Sequence, residues 1–148
     1  MTRSGGPDAA GSPRFGLLVM THGGLAFELV RALEAIVGPV ERVRGLSIGW
    51  DVDLQQARKT IRRAIEEVDP GGGVLILTDM FGGTATNLTL SFLRDGIEVV
   101  TGVNLPMMIK FANIRTTAPL KEAAAMIRDQ GQRSIALANE YLEPTRES

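Results

Sequence analysis

His22 is the only histidine in the chain. It follows the apolar run Leu17, Leu18, Val19, Met20 and the polar Thr21, and Gly23 and Gly24 come directly after it. An apolar run that turns through glycine into a helical pattern is a strand-to-helix junction. In open α/β sheets, ligands and reacting groups gather just beyond the carboxyl ends of the strands. Val74 to Gly83 repeats the plan, with Asp79 where the first stretch has His22. A carboxylate beside an imidazole accepts a hydrogen bond from one ring nitrogen and so fixes the tautomer. The lone pair then lies on the other nitrogen, which can attack a phosphoryl group. Asp79 would stabilise the positive charge that the ring gains. Phosphoryl oxygens need donors. The backbone amides of Gly23 and Gly24, and those of Gly82, Gly83 and Thr84, suit this at helix starts. Glycine allows the close backbone approach, and the Thr21 and Thr84 hydroxyls can add bonds. This chemistry calls for no metal and no cofactor.

Each of these residues also has a plainer reading. A lone histidine can be a hydrogen-bonded structural group. Asp79 can be a helix cap, and the glycine pairs can mark tight turns. Gly71 to Gly73 precede a strand, the wrong side for a phosphate loop, and no GK[ST] sequence is present.

These residues need elements to hold them. Phe15 to Met20 reads as a first strand, apolar enough for burial on both faces. Leu25, Leu29, Leu33 and Ile36 recur at helical spacing up to Gly38 and Pro39. Val43 to Ile48 reads as a short second strand. Asp51 or Asp53 can cap the next helix, which shows Leu54, Ala57, Ile61, Ala64, Ile65 and Val68 on one face. Its other faces carry Arg58, Lys59, Arg62, Arg63, Glu66 and Glu67, which read as a solvated surface. Val74 to Leu77 is the third strand. Thr84 can cap a helix running through Leu93, with Gly96 as a stop. Glu98 to Thr101 holds the fourth strand, and Pro106 suits the first turn of the following helix. Thr116 or Thr117 can cap a last helix, with Leu120, Ala123, Ala124 and Ile127 on one face and Gly131 after it. Ser134 to Ala138 is expected to be a fifth strand.

Strands alternating with helices predict a flavodoxin-like, doubly wound α/β fold. The sheet is expected to be mostly parallel, ordered 2-1-3-4 plus the C-terminal strand, with helices on both faces. Strands one and three are then neighbours at the switch point. That juxtaposition would bring His22 and Asp79 together. Residues 14–140 form the expected domain, with tails at 1–13 and 141–148.

Composition sets outer bounds. The 148 residues suit one domain, and 44% hydrophobic with 22% charged residues is globular rather than disordered. A net charge of −1 does not suggest a nucleic-acid surface. With no cysteine there is no disulfide, thiol nucleophile or thiolate metal site. No apolar run approaches the roughly 20 residues of a membrane span, so no direct membrane insertion is expected. The Gly-, Ser- and Pro-rich N-terminus has no apolar core of a signal peptide. The expected location is the cytoplasm.

Three spaced motifs then point to a family. They are Thr21-His22-Gly23, Thr78-Asp79-Met80-Phe81-Gly82-Gly83-Thr84 with Asn87, and Gly102-Val103-Asn104-Leu105-Pro106-Met107. Together they resemble the mannose-type (mannose/fructose/sorbose) enzyme IIA domain of the bacterial phosphoenolpyruvate:sugar phosphotransferase system. The resemblance covers about Phe15 to Ala138. It implies a phosphocarrier, commonly a homodimer, in which a C-terminal strand can be exchanged between subunits. His22 matches the histidine that takes a phosphoryl group from phospho-HPr and passes it to an enzyme IIB domain. Asp79 matches the aspartate that orients the ring. Thr84 matches a hydroxyl near the phosphoryl group, and Asn104, Leu105, Pro106 and Met107 match a loop flanking the site. The sequence departs from the family at Ala85-Thr86, where Pro-Ser or Pro-Phe is usual. No IIB-like unit follows, so the expected recipient is a separate IIB chain or a regulatory target.

Three other readings compete. A histidine phosphatase needs an Arg-His-Gly motif and a second histidine, and both are missing. A receiver module phosphorylated on Asp79 needs acidic residues after strand one, where Thr21 and His22 stand. A non-catalytic interaction domain of the same fold, with His22 structural, is the remaining alternative.

Overall fold

The computed structural model describes residues 11–49, 53–80 and 83–141, with the backbone alone at 83–85. Strands β1 (Gly16–His22), β2 (Val43–Ile48), β3 (Val74–Thr78) and β4 (Ile97–Thr101) form one parallel sheet in the order β2-β1-β3-β4. Helices α1 (Leu25–Val37), α2 (Leu54–Val68) and α3 (Gly83–Leu90) alternate with the strands. Helices α4 (Leu105–Ile114) and α5 (Leu120–Arg133) follow β4. This is the flavodoxin-like α/β arrangement that the alternation predicts.

Successive strand residues face opposite sides of a sheet, so an apolar strand feeds two cores. Leu17 and Val19 with Leu75 and Leu77 pack under α1, α4 and α5, against Leu33, Phe111 and Ile127. Phe15 and Phe111 meet edge to face there, with ring centroids 5.5 Å apart. Leu18 and Met20 with Val74 and Ile76 pack on the other side, against Ile61, Ile65, Leu88 and Phe92 of the α2 and α3 layer. Gly16 lets β1 pass the end of α2. A Cβ there would lie 2.1 Å from the Val68 carbonyl oxygen.

Register then sets the site. Met20 lies opposite Thr78 across the β1–β3 ladder. The two strands therefore end side by side, and His22 and Asp79 emerge at the same carboxyl edge. The Gly71-to-Gly73 turn sits at the other edge, where Asp69 Oδ1 accepts from the amides of Gly71 and Gly73.

Several expectations are corrected. Residues 134–138 form no strand. Helix α5 runs on to Arg133, because its stripe of Leu120, Ala123, Ala124 and Ile127 continues at buried Gly131. Gly131 is therefore not a stop. It fits under Met107, whose sulfur would lie 2.5 Å from an added Cβ. Ile135 and Leu137 are exposed. The core stripe of α1 runs through Ala26 and Leu33, while Leu25 and Ile36 face solvent. Leu54 is likewise exposed on α2. Helix α3 ends at Leu90, not Leu93, and Thr84 is its second residue rather than its cap. Pro119, not Thr116 or Thr117, stands at the start of α5. Asp53 does cap α2, accepting from the amides of Gln55 and Gln56. Asp51 and the tail from Leu142 onward lie outside the described residues.

Candidate active site

Asp79 is the residue after β3, and His22 is the last residue of β1. One carboxylate oxygen, Asp79 Oδ2, accepts two hydrogen bonds from His22. The backbone N–H donates at 2.9 Å, and ring Nδ1 lies at 2.9 Å. A carboxylate only accepts, so Nδ1 carries the proton and the lone pair lies on Nε2. Both side chains are mostly covered but reachable, with 21% and 17% of their surface exposed.

Burial by itself would raise the Asp79 pKa. The His22 amide, the ring hydrogen bond and the electrostatic attraction of the ring outweigh it. The carboxyl is held below its ordinary range. The carboxylate is therefore charged at neutral pH and can accept both hydrogen bonds.

The glycines that follow His22 form the turn into α1. Gly23 has φ of 58°, in the left-handed region that favours glycine. Gly24 stands at the N-cap of α1 and offers no side-chain cap. Thr21 supplies it instead, since its buried Oγ1 accepts from the Ala26 amide at 2.7 Å. This hydroxyl therefore holds the start of α1 in place. The first turn of a helix carries backbone N–H groups without intrahelical partners. The α1 terminus presents such amides beside His22, and α3 begins at Gly83 just after Asp79. Gly82 and the side chain of Thr84 lie outside the described residues.

The flanking loop is anchored at three points. The Val103 amide donates to the Thr78 carbonyl at 2.9 Å, which ties it to the residue before Asp79. Asn104 caps α4 by accepting from the Met107 amide, and its Nδ2 donates to the Gly131 carbonyl. Leu105 and Pro106 are half-buried, and Met107 is buried against Gly131. One contributor was missed in the sequence. Thr86, buried in α3, donates from Oγ1 to the Met80 carbonyl at 2.8 Å and so ties down the residue next to Asp79. A threonine inside a helical pattern gave no signal of that. Among the described residues, no group of three or more His, Asp or Glu is gathered to hold a metal ion. No helix among them is long and apolar enough to cross a membrane.

The family model EIIA-man, the PTS system fructose IIA component, matches residues 16–128. The fructose-specific EIIA component of Bacillus subtilis is 24% identical over 129 residues, covering 86% of this chain and 88% of that protein. The mannose-specific EIIAB component of Escherichia coli is 25% identical over 122 residues. That match covers 80% of this chain but only 38% of the relative. Among solved structures, the PTS IIA protein associated with the fucose utilization operon of Streptococcus pneumoniae superposes with a TM-score of 0.74. It is 26% identical, over 86% of this chain and 95% of that one. The mannose/sorbose-specific IIA subunit from Enterococcus faecalis gives 0.72 at 26% identity, over 82% and 92% of the two chains. The chain carrying His22 and Asp79 thus belongs to the EIIA-man family, the mannose/fructose-type IIA components of the phosphotransferase system.

Proposed function

We propose that this IIA component is a phosphocarrier whose acceptor atom is His22 Nε2. The pair of hydrogen bonds from His22 to Asp79 Oδ2 carries the reading. The donor is phospho-HPr, itself a phosphohistidine in this reading. The Nε2 lone pair forms a new N–P bond as the donor's N–P bond breaks, and the donor ring keeps that electron pair. The His22 ring then holds a proton on Nδ1 and a phosphoryl group on Nε2, and so carries a positive charge. Asp79 lies against that charge and stabilises it. The amides of Gly23 and Gly24 at the start of α1, and that of Gly83 at the start of α3, receive the phosphoryl oxygens.

The recipient is a IIB partner or a regulatory target. The E. coli relative carries A and B functions in its name, which supports IIB as one recipient. Exposed Leu25, Phe27 and Met80 border this edge of the sheet and suit docking of a protein partner. Exposed Ile135, Leu137 and Tyr141 give a second apolar surface that suits a homodimer. The proposed location is the cytoplasm.

The test is transfer itself. Incubation with phosphoenolpyruvate, enzyme I and HPr should give an acid-labile phosphate on His22. A folded protein that takes no label from active donors would leave His22 with a structural role.

A further inference from the structure

We propose that the groove between α2 and α3 is a binding site for a small phosphorylated molecule. Neither His22 nor Asp79 is on its lining, and it lies on the α2 and α3 layer of the fold. Arg58 and Arg62 line it from α2, and Arg94 lines it from the turn after α3. From the sequence alone, the α2 arginines read as a solvated face. The fold adds the opposite wall, with Ser91, Phe92 and Leu93, and encloses a hollow of ≈ 330 Å³. Ligand pockets commonly start at about 300 Å³.

The cations are held ready rather than neutralised. Arg58 donates from Nη1 to Ser91 Oγ at 3.2 Å, across the groove. That hydroxyl in turn donates to the Leu88 carbonyl, which fixes its direction. The Arg94 backbone is fixed by a tight turn, in which Ile97 N–H donates to its carbonyl and Gly96 takes positive φ. Among the described residues, neither Arg62 nor Arg94 has an ion-pair partner. Among the described residues, Glu66 is the one acidic group on the lining, so three guanidiniums face one carboxylate there. Planar, forked guanidiniums bind phosphate oxygens in pairs.

A second hollow begins at Arg58 and, among the described residues, is lined by Leu54, Asn87 and Leu88. The groove therefore has a cationic end and an end with apolar and amide groups. That division fits one molecule with a phosphate head and an organic body, such as a sugar phosphate or a nucleotide. An acidic peptide would need cations spaced along the whole length instead.

The proposal is tested by calorimetry and amide NMR on the full chain, with inorganic pyrophosphate and glucose 6-phosphate as probes. Salt is held at about 0.15 M, where the Debye length is about 8 Å and loose surface attraction is screened. Both probes should bind saturably and shift the amides of Ser91, Leu93 and Arg94, and glucose should not. The double variant Arg62→Gln/Arg94→Gln, with an unchanged melting temperature, should bind at least about tenfold more weakly. The His22→Ala variant should bind as the parent does. Absence of saturable binding in the millimolar range would overturn the proposal, as would binding indifferent to the double variant. Loss of binding in His22→Ala would place the probe at the sheet edge instead. Capture of an Asp- and Glu-rich peptide, with neither phosphate probe bound, would replace the small molecule with a protein partner.

Discussion

Asp79 Oδ2 accepts from both the backbone N–H and the ring Nδ1 of His22, each at 2.9 Å. One oxygen thus fixes the end of β1 and the tautomer of its terminal side chain. Removing the carboxylate should affect both. Asp79→Ala leaves two part-buried donors without an acceptor, which costs about 1–3 kcal/mol. Loss of the charge opposite the phosphorylated ring should slow acceptance about 10- to 100-fold, since each 1.4 kcal/mol is tenfold in rate. Asp79→Asn keeps an acceptor but no charge. It should lose less stability and still transfer slowly. Thermal unfolding and initial rates of phosphoryl uptake, measured side by side, check this.

The pH dependence follows from the depressed Asp79 pKa. A carboxyl held below its unfolded value of about 4 contributes fully above that value. The contribution is lost as pH falls through the lower, folded value. The melting-temperature gap between the parent and Asp79→Asn should therefore shrink as pH falls below about 4. A gap that widens over that acid range would contradict the assignment.

Thr21 caps the start of α1. Thr21→Val keeps the shape but strands the Ala26 amide, at a cost of about 1–2 kcal/mol. Thr21→Ser should restore most of it. If Thr21→Val leaves the melting temperature unchanged, the 2.7 Å bond to Ala26 is not what holds the start of α1.

Much of this was legible because strands announce themselves by continuous apolar runs. Leu17 to Met20 and Val74 to Leu77 could only be buried strands, and their polar ends placed His22 and Asp79 together. The C-terminal region was misread for a local reason. Glycine at 131 reads as a helix stop, yet here it is the small residue that admits Met107. Ala26 was overlooked for a similar reason. Counting leucines put Leu25 and Ile36 on the core face, but the helix turns its alanine toward β2. A Cβ on Gly45 would come within 3.3 Å of the Ala26 backbone. Close approaches between backbones depend on partners distant in sequence, and periodicity along one segment does not register them. The Thr86 bond to Met80 was hidden in the same way.

Gly16 offers a test of one such approach. Gly16→Ala places a methyl group against the Val68 carbonyl, where backbone rather than a flexible side chain must move. Overpacking of this kind costs about 1–3 kcal/mol or more. Denaturant unfolding should show a lower midpoint. A neutral result would mean that α2 can shift away from β1 at little cost.

The most direct measurement is the position of the phosphorus atom on the ring. The protein is phosphorylated with phosphoenolpyruvate, enzyme I and HPr, and its imidazole nitrogens are followed by NMR, with His22→Ala as the control. One phosphohistidine is expected at residue 22, bonded through Nε2, with the Nδ1 proton still directed at Asp79. Phosphorus on Nδ1, or label that survives in His22→Ala, would contradict it.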